Sequence, residues 1–236
     1  MSEPGSTRII LLRPRNPRNI GAAARAMANF GLDDLVVVSP HPPVWEEVRV
    51  SALGADKVVS NARVVDDLLD AVSDCTLVIG TADRRRGGNF DPAQAVKLIA
   101  GSSGKTAIIF GSEKSGLANT DLSFCHEVLT IPTTDESPSL NLGQAVAIVC
   151  YELSRPPTSI MQATTEATVN EVETFLRRSV ELMKVSGYFA GGNEERLTEE
   201  FRRSILRRRP TSREISLWLG AVNKISRENA NMRRKA

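Results

Sequence analysis

The chain has too little cysteine and histidine for the commonest metal and redox chemistries. Its three cysteines, Cys75, Cys125 and Cys150, stand far apart with no CxxC pair, so neither a disulfide framework nor a zinc site is indicated. Its two histidines, His41 and His126, have no partner at ligand spacing, so no metal is expected. No histidine is patterned to activate a serine either, which argues against a Ser-His hydrolase. Two nucleotide-binding signatures are also missing. Gly111-x4-Gly116 has the outer spacing of a Walker A loop, but Leu117-Ala118 stands where Lys-Ser/Thr is required. In Gly101-Ser-Ser-Gly104-Lys105-Thr106, Ile99 replaces the first glycine and the helix precedes the strand. No GxGxxG occurs. Nothing at residues 1–7 resembles a signal peptide, and no apolar run approaches the roughly 20 residues of a membrane span. A soluble, cytoplasmic protein is therefore expected.

At 236 residues and 41% hydrophobic, the chain is long enough to bury a real core. Short Val/Ile/Leu-rich runs at 9–12, 35–38, 77–79, 107–110 and 128–131 read as strands buried on both faces of a parallel sheet. Helical patterns at 20–30, 66–72, 92–99 and 142–153 alternate with them, the signature of a βαβ architecture. In the last of these, Leu142, Ala145, Val146, Val149, Cys150 and Leu153 form one apolar stripe. Asn141 followed by Gln144 reads as its capping pair. The body is expected to span 1–155 and a linker 156–165, where Pro156-Pro157 breaks the pattern. A helical extension follows over 166–236, with helices expected at 166–186, 194–208 and 212–231. Charge is unevenly shared: residues 196–236 carry twelve Lys/Arg against four Asp/Glu, a net of +8, leaving a net of −6 elsewhere. Ten of those twelve are arginine, the better bidentate phosphate partner. The extension is thus expected to hold nucleic acid, although an Arg-rich tail is also readable as a solvated helical face.

Three segments that follow predicted strands carry residues that packing explains poorly. The first is Asn16-Pro17-Arg18-Asn19-Ile20-Gly21 running into Arg25. On a helical wheel Arg25 projects away from the core beside Gly21, which has no side chain to block approach. Taken alone, Arg25 is an exposed arginine of an amphipathic helix, and Asn19 an N-cap. The second, 110–117, is a glycine turn that lets backbone approach a ligand, with Glu113 inside it. The third, 137–142, sets Ser139 and Asn141 at a helix start, where free N–H groups point outward. In an open α/β sheet ligands bind beyond the carboxyl ends of the strands, so the three segments are expected to build one site.

Together Asn19-x-Gly21-x3-Arg25, Phe110-Gly111-x-Glu113-x2-Gly116-Leu117, and Ile131-Pro132 followed by Ser139-Leu140-Asn141 resemble the three motifs of SPOUT-class (SpoU-like) RNA ribose 2′-O-methyltransferases. Within that class the chain looks like the TrmJ type. Val78-Ile79-Gly80-Thr81-Ala82 and the 201–211 pattern extend the likeness. The resemblance implies a C-terminal trefoil knot that holds S-adenosylmethionine, a homodimer with sites between protomers, and methylation of tRNA at C or U of anticodon-loop position 32. Ribosomal RNA, or RNA binding without catalysis, are the rival readings. Motif position implies cofactor contacts at Thr81, Ala82, Asp83, Gly111, Ile131, Pro138, Ser139, Leu140 and Asn141. It implies catalytic roles for Arg25, Ser139 and Asn141, and substrate or orienting roles for Asn19, Glu113, Arg84, Arg207 and Arg208. Pro138 and Asp83-Arg84-Arg85-Arg86 depart from the small residues usual there.

Overall fold

A computed structural model describes residues 7–41, 45–83, 90–155, 166–189 and 192–235. The strands are β1 (Thr7–Leu12), β2 (Leu35–Val38), β3 (Arg63–Val65), β4 (Cys75–Ala82), β5 (Lys105–Phe110) and β6 (Glu127–Thr130). They form one sheet in the order β3-β2-β1-β5-β4-β6, and every pairing is parallel. Strand side chains alternate between two faces, and both faces are buried. Ile9, Leu11, Val37, Ile79 and Ile108 enter one core; Ile10, Leu12, Val36, Val78 and Ile109 enter the other. This double burial is why the strands read as nearly unbroken apolar runs.

Helices α1 (Pro17–Asn29), α2 (Trp45–Ser51), α3 (Asp56–Asn61), α5 (Pro92–Ala100) and α7 (Leu142–Leu153) cover the first face. The second is covered by α4 (Leu68–Val72), α6 (Asn119–Leu122) and the first turn of α8 (Val169–Val185). The expected α/β class and its strands are present. β3, α2, α3 and α6 were not anticipated. β3 has three residues, none of them buried, so no apolar run announces it. α1 begins at Pro17, because the Asn16 side chain accepts the Arg18 amide at 2.9 Å and proline suits the first helical position. Asn19 therefore sits inside the first turn and is not the cap. Gly21 also differs from expectation. A Cβ there would lie 2.3 Å from the Val48 carbonyl oxygen and 2.0 Å from Ser51 Oγ. It is the contact point of α2 on α1, not an open approach to Arg25.

The extension comprises α8, α9 (Glu194–Leu206) and α10 (Ser212–Lys235) around Val172, Phe175, Leu176, Ile205, Leu206 and Ile215. It is docked on the body. Val169 lies in the body's core, and the Asn170 amide donates to the Ser73 carbonyl at 3.0 Å. Arg202 pairs with Glu173 at 2.5 Å, donates to Ser123 Oγ at 3.0 Å and stacks over the Phe124 ring at 4.4 Å. Arg203 donates to the Asn119 carbonyl at 3.3 Å, and Arg209 pairs with buried Glu166. Several arginines that the sequence offers as phosphate ligands thus bind protein. Arg207, Arg213, Lys224 and Arg227 remain exposed. The expected linker, 156–165, lies outside the described residues.

His126 fixes the joint between β4 and β6. Its Nδ1 accepts the Val78 amide at 3.0 Å, while its own amide donates to the Val78 carbonyl at 2.8 Å. Complete burial, reinforced by the positive charge of Arg209, pushes its pKa down to about 4. The folded chain therefore holds a neutral imidazole, and acid protonates only the unfolded chain between pH ~6.5 and ~4. Unfolding free energy should fall by about 2 kcal/mol from this group between pH ~7.5 and ~5. His126→Asn keeps an acceptor but cannot titrate, so urea melts at the two pH values should show a difference smaller by that amount. Equal pH dependence in both proteins would refute the assignment.

Candidate active site

A cleft of about 320 Å³ opens beyond the carboxyl ends of β4, β5 and β6. Thr81, Ala82 and Asp83 line it from β4, the 110–117 turn from β5, and Leu129, Ile131 and Thr133 from β6 and its exit. Pro138, Ser139, Leu140, Leu142 and Ala145 close it from the loop and first turn of α7. Each wall has a local cause. Thr81 Oγ1 donates to the Ile109 carbonyl at 2.9 Å, tying the end of β4 to β5. Gly111 is close-packed: a Cβ there would stand 2.2 Å from the Gly116 carbonyl carbon. Gly116 takes φ of +64° and donates to the Ser112 carbonyl at 2.8 Å, so the turn is short and closed. Thr133 Oγ1 donates to the Pro138 carbonyl at 3.1 Å, folding the 133–138 loop on itself.

Three motif segments meet through Glu113. Its Oε2 accepts the Arg15 amide at 3.0 Å, and its Oε1 accepts the Asn16 amide at 3.2 Å and Asn19 Nδ2 at 2.7 Å. Asn19 Oδ1 in turn accepts Asn141 Nδ2 at 3.1 Å. Asn141 also accepts the Gly143 amide at 2.9 Å, and its own amide donates to Gln144 Oε1 at 3.3 Å. The expected cap is therefore formed, and its spare amide group reaches across to α1. Partial burial would raise the Glu113 pKa, but the donors from Asn19 and from the Glu113, Arg15 and Asn16 backbone outweigh it and hold the carboxyl below its ordinary value. An anion held by this set of donors is an organising group, and it is ill suited to take a further proton.

Of the residues singled out in the sequence, Thr81, Ala82, Asp83, Gly111, Glu113, Ile131, Pro138, Ser139 and Leu140 line one cleft. Asn19 and Asn141 are bonded to its rim. Arg25 is exposed on α1 and is not among the residues lining the cleft; it stands six residues beyond Asn19, roughly 9 Å along the helix axis. Arg84 lies outside the described residues. Arg207 and Arg208 follow directly after α9, where Arg208 Nη1 donates to the Ser204 carbonyl at 2.7 Å, and neither lines the cleft. The apolar walls Leu122, Leu129 and Ala145 were not anticipated as site residues. Their apolar character marks them as core, so no chemical signal distinguishes them. All three cysteines are buried and free, with thiols pushed up to about 12 by burial, which removes them as nucleophiles. Among the described residues no cluster of ligating side chains suits a metal ion, and no helix is long and apolar enough to cross a membrane.

A parallel α/β sheet with a ligand-sized cleft at its strand ends, rimmed by these three segments, is the arrangement that the resemblance to SPOUT-type methyltransferases implies. Residues 6–151 match the SpoU rRNA Methylase family, and the chain belongs to it. It is 32% identical over 231 residues to the tRNA (cytidine/uridine-2′-O-)-methyltransferase TrmJ of Sodalis glossinidius, covering 92% of this chain and 90% of that protein. An uncharacterized tRNA/rRNA methyltransferase of Haemophilus influenzae is 44% identical over 149 residues, 62% of this chain and 61% of that protein. The fold superposes on the crystal structure of TrmJ from Z. mobilis ZM4 with a TM-score of 0.86 and 34% identity, covering 94% of this chain and 100% of that one.

Proposed function

We propose that the protein transfers a methyl group from S-adenosylmethionine to a ribose 2′-hydroxyl of tRNA, at C or U of anticodon-loop position 32. The observation that carries the reading is the single cleft whose rim is all three motif segments, joined through Glu113, Asn19 and Asn141. The similarity to TrmJ over nine tenths of both chains supports tRNA as the substrate. The residues present fit the cofactor. Leu117, Leu122, Leu129, Leu142 and Ala145 offer apolar walls to a flat base, and the turn at Gly111 and the chain at Ile131 offer backbone polar groups to its edge. When bound, the cofactor supplies a methyl group already activated on a sulfonium. Thr81, Ala82, Asp83, Gly111, Ile131, Pro138, Ser139, Leu140 and Asn141 would hold it. The Pro138 carbonyl, which already accepts Thr133 Oγ1, has one lone pair to give and no N–H.

The protein's part is to place the ribose in line and help its proton leave. Arg25 holds the target phosphate and stabilises the alkoxide charge as it develops, and the proton departs through phosphate or water. Ser139, exposed at the cleft, orients the hydroxyl. In a homodimer the Arg25 that serves a cleft comes from the partner, which reconciles its distance from the cleft of its own chain. Residues 131–141, which return the chain from the sheet edge at β6 to α7 against α1, would thread the 110–117 turn to form the knot. Residues 1–155 form the methyltransferase body, 156–165 a linker and 166–236 an extension that supports RNA binding or dimer contacts, and the protein acts in the cytoplasm.

The test is incubation of purified protein with radiolabelled S-adenosylmethionine and separated RNA pools, followed by nucleoside mass spectrometry. A 2′-O-methylated pyrimidine at position 32 of tRNA is expected. Label confined to ribosomal RNA would overturn the substrate, and no label in any pool would overturn the enzymatic reading.

A further inference from the structure

The extension is the obvious cationic surface in the sequence, yet much of its arginine is engaged with protein, as described above. The body presents another. Arg13, at the end of β1, adopts φ of +52° and turns the chain into a loop that carries Arg15 and then Arg18. Arg15 donates its backbone amide to Glu113, so it is fastened to the residue next to Lys114. Lys114 lines the cleft, and its amide lies 3.4 Å from Ser112 Oγ within the same closed turn. Arg15 and Lys114 are both exposed, and neither side chain has an ion-pair partner among the described residues. Arg18 reaches Glu47 at 3.6 Å, with 74% of its side chain exposed, a pairing too solvated to hold it. Two nearby carboxylates are otherwise occupied. Glu113 accepts three donors, and Asp121 pairs with Arg13 and accepts the Ala118 amide at 2.6 Å.

We propose that Arg15 and Lys114, with Arg18 beside them, form a phosphate-binding rim that seats the RNA strand across the cleft. The ligand is the phosphodiester backbone flanking the target ribose, and the inference rests on the RNA-methylating reading above. A ribose lowered into the cleft carries a phosphate on each side, and the rim stands where one of them passes. The two loops hold their backbones in place through Glu113 whether or not RNA is bound, so only side chains need order on binding. Phosphate contacts of this kind fix register and orientation without reading sequence. Arg15 is suited to a bidentate phosphate contact, and Lys114 to a point charge at the cleft mouth.

The experiment measures binding of labelled, unfractionated tRNA over a range of KCl concentrations, and steady-state methyl transfer, for wild type, Arg15→Gln, Lys114→Gln and the double variant. Each substitution should weaken tRNA binding roughly tenfold at low salt and reduce the log–log salt slope by about one. The loss should appear in KM for tRNA more than in kcat. Arg15→Lys should restore the slope, which a purely structural role for Arg15 would not predict. Unchanged affinity and slope in the double variant, in an enzyme that methylates tRNA, would overturn the rim and leave the function standing. A wild type that methylates no RNA would overturn the function, and the salt slopes of the variants would still decide the rim.

Discussion

Arg25→Ala should lower turnover about 100- to 1,000-fold, the usual loss when a donor aimed at developing charge is removed. Arg25 is the one motif cation on α1 that is exposed and carries no ion pair among the described residues. A guanidinium stays protonated in proteins and offers no acceptor for the ribose proton, so the role proposed for Arg25 is electrostatic. Arg25→Lys should recover only part of the rate, because a point charge cannot hold two phosphate oxygens in a plane. The placement of Arg25 outside the cleft of its own chain makes a sharper consequence. Mixing inactive Arg25→Ala protomers with protomers disabled in the cleft should restore about a quarter of wild-type activity, if random exchange forms two-fold symmetric dimers. Each mixed dimer would then contain one complete site. Near-full turnover in Arg25→Ala with tRNA and cofactor bound would end the role assigned to it. No recovery on mixing, despite verified subunit exchange, would place Arg25 in its own chain's site.

Much of this arrangement was legible in the sequence, for identifiable reasons. Strands buried on both faces write themselves as Val/Ile/Leu runs, and five of the six appear that way. β3, an edge strand with no buried residue, leaves no such trace. The cap at Asn141 was readable because Asn and Gln three residues apart satisfy each other's backbone donors. The hydrogen bond between Asn141 and Asn19 was not, since no local rule joins residues more than a hundred positions apart. Arg8 makes the same point more strongly. Arginine is ordinarily exposed, yet this one is 3% exposed on β1 and bonded to Asp34 at 2.9 Å, Asp74 at 2.6 Å and the Ala71 carbonyl at 2.7 Å. Burial would lower its pKa, but the carboxylates of Asp74 and Asp34 outweigh that and raise it. Partial burial would raise the Asp74 pKa, but the hydrogen bonds and charges of Arg8 and Lys105 outweigh it and hold the carboxyl well below the usual carboxylate range. Composition likewise offered every tail arginine to nucleic acid or to a solvated face, because a count of charges does not show which are paired. Glu173 and Glu166, which engage Arg202 and Arg209, lie outside the window that makes the tail look so basic.

Gly111→Ala should abolish cofactor binding and lower the melting temperature by roughly 2–12 °C. The added methyl would meet the Gly116 carbonyl carbon at 2.2 Å, the Leu117 amide nitrogen at 2.5 Å and the Gly116 carbonyl oxygen at 2.6 Å. All three are backbone atoms, so no rotamer change relieves the clash and the turn must open. Overpacking of this kind costs about 1–3 kcal/mol, and each kcal/mol is worth about 2–4 °C in a domain of this size. Opening the turn displaces Leu117 from the apolar wall and Glu113 from the amides of Arg15 and Asn16, so one methyl group disturbs both the cleft and the network that joins its rims. Gly220→Ala provides the contrast. That glycine lies in α10 with nothing within 4 Å of the added carbon, and alanine improves helix propensity by about 1 kcal/mol, so its melting temperature should rise. Calorimetric titration with S-adenosylhomocysteine and thermal melts of both variants test the pair. A Gly111→Ala protein that melts like wild type and binds the ligand within twofold would mean that the close approach of Gly111 to Gly116 does not shape the cleft.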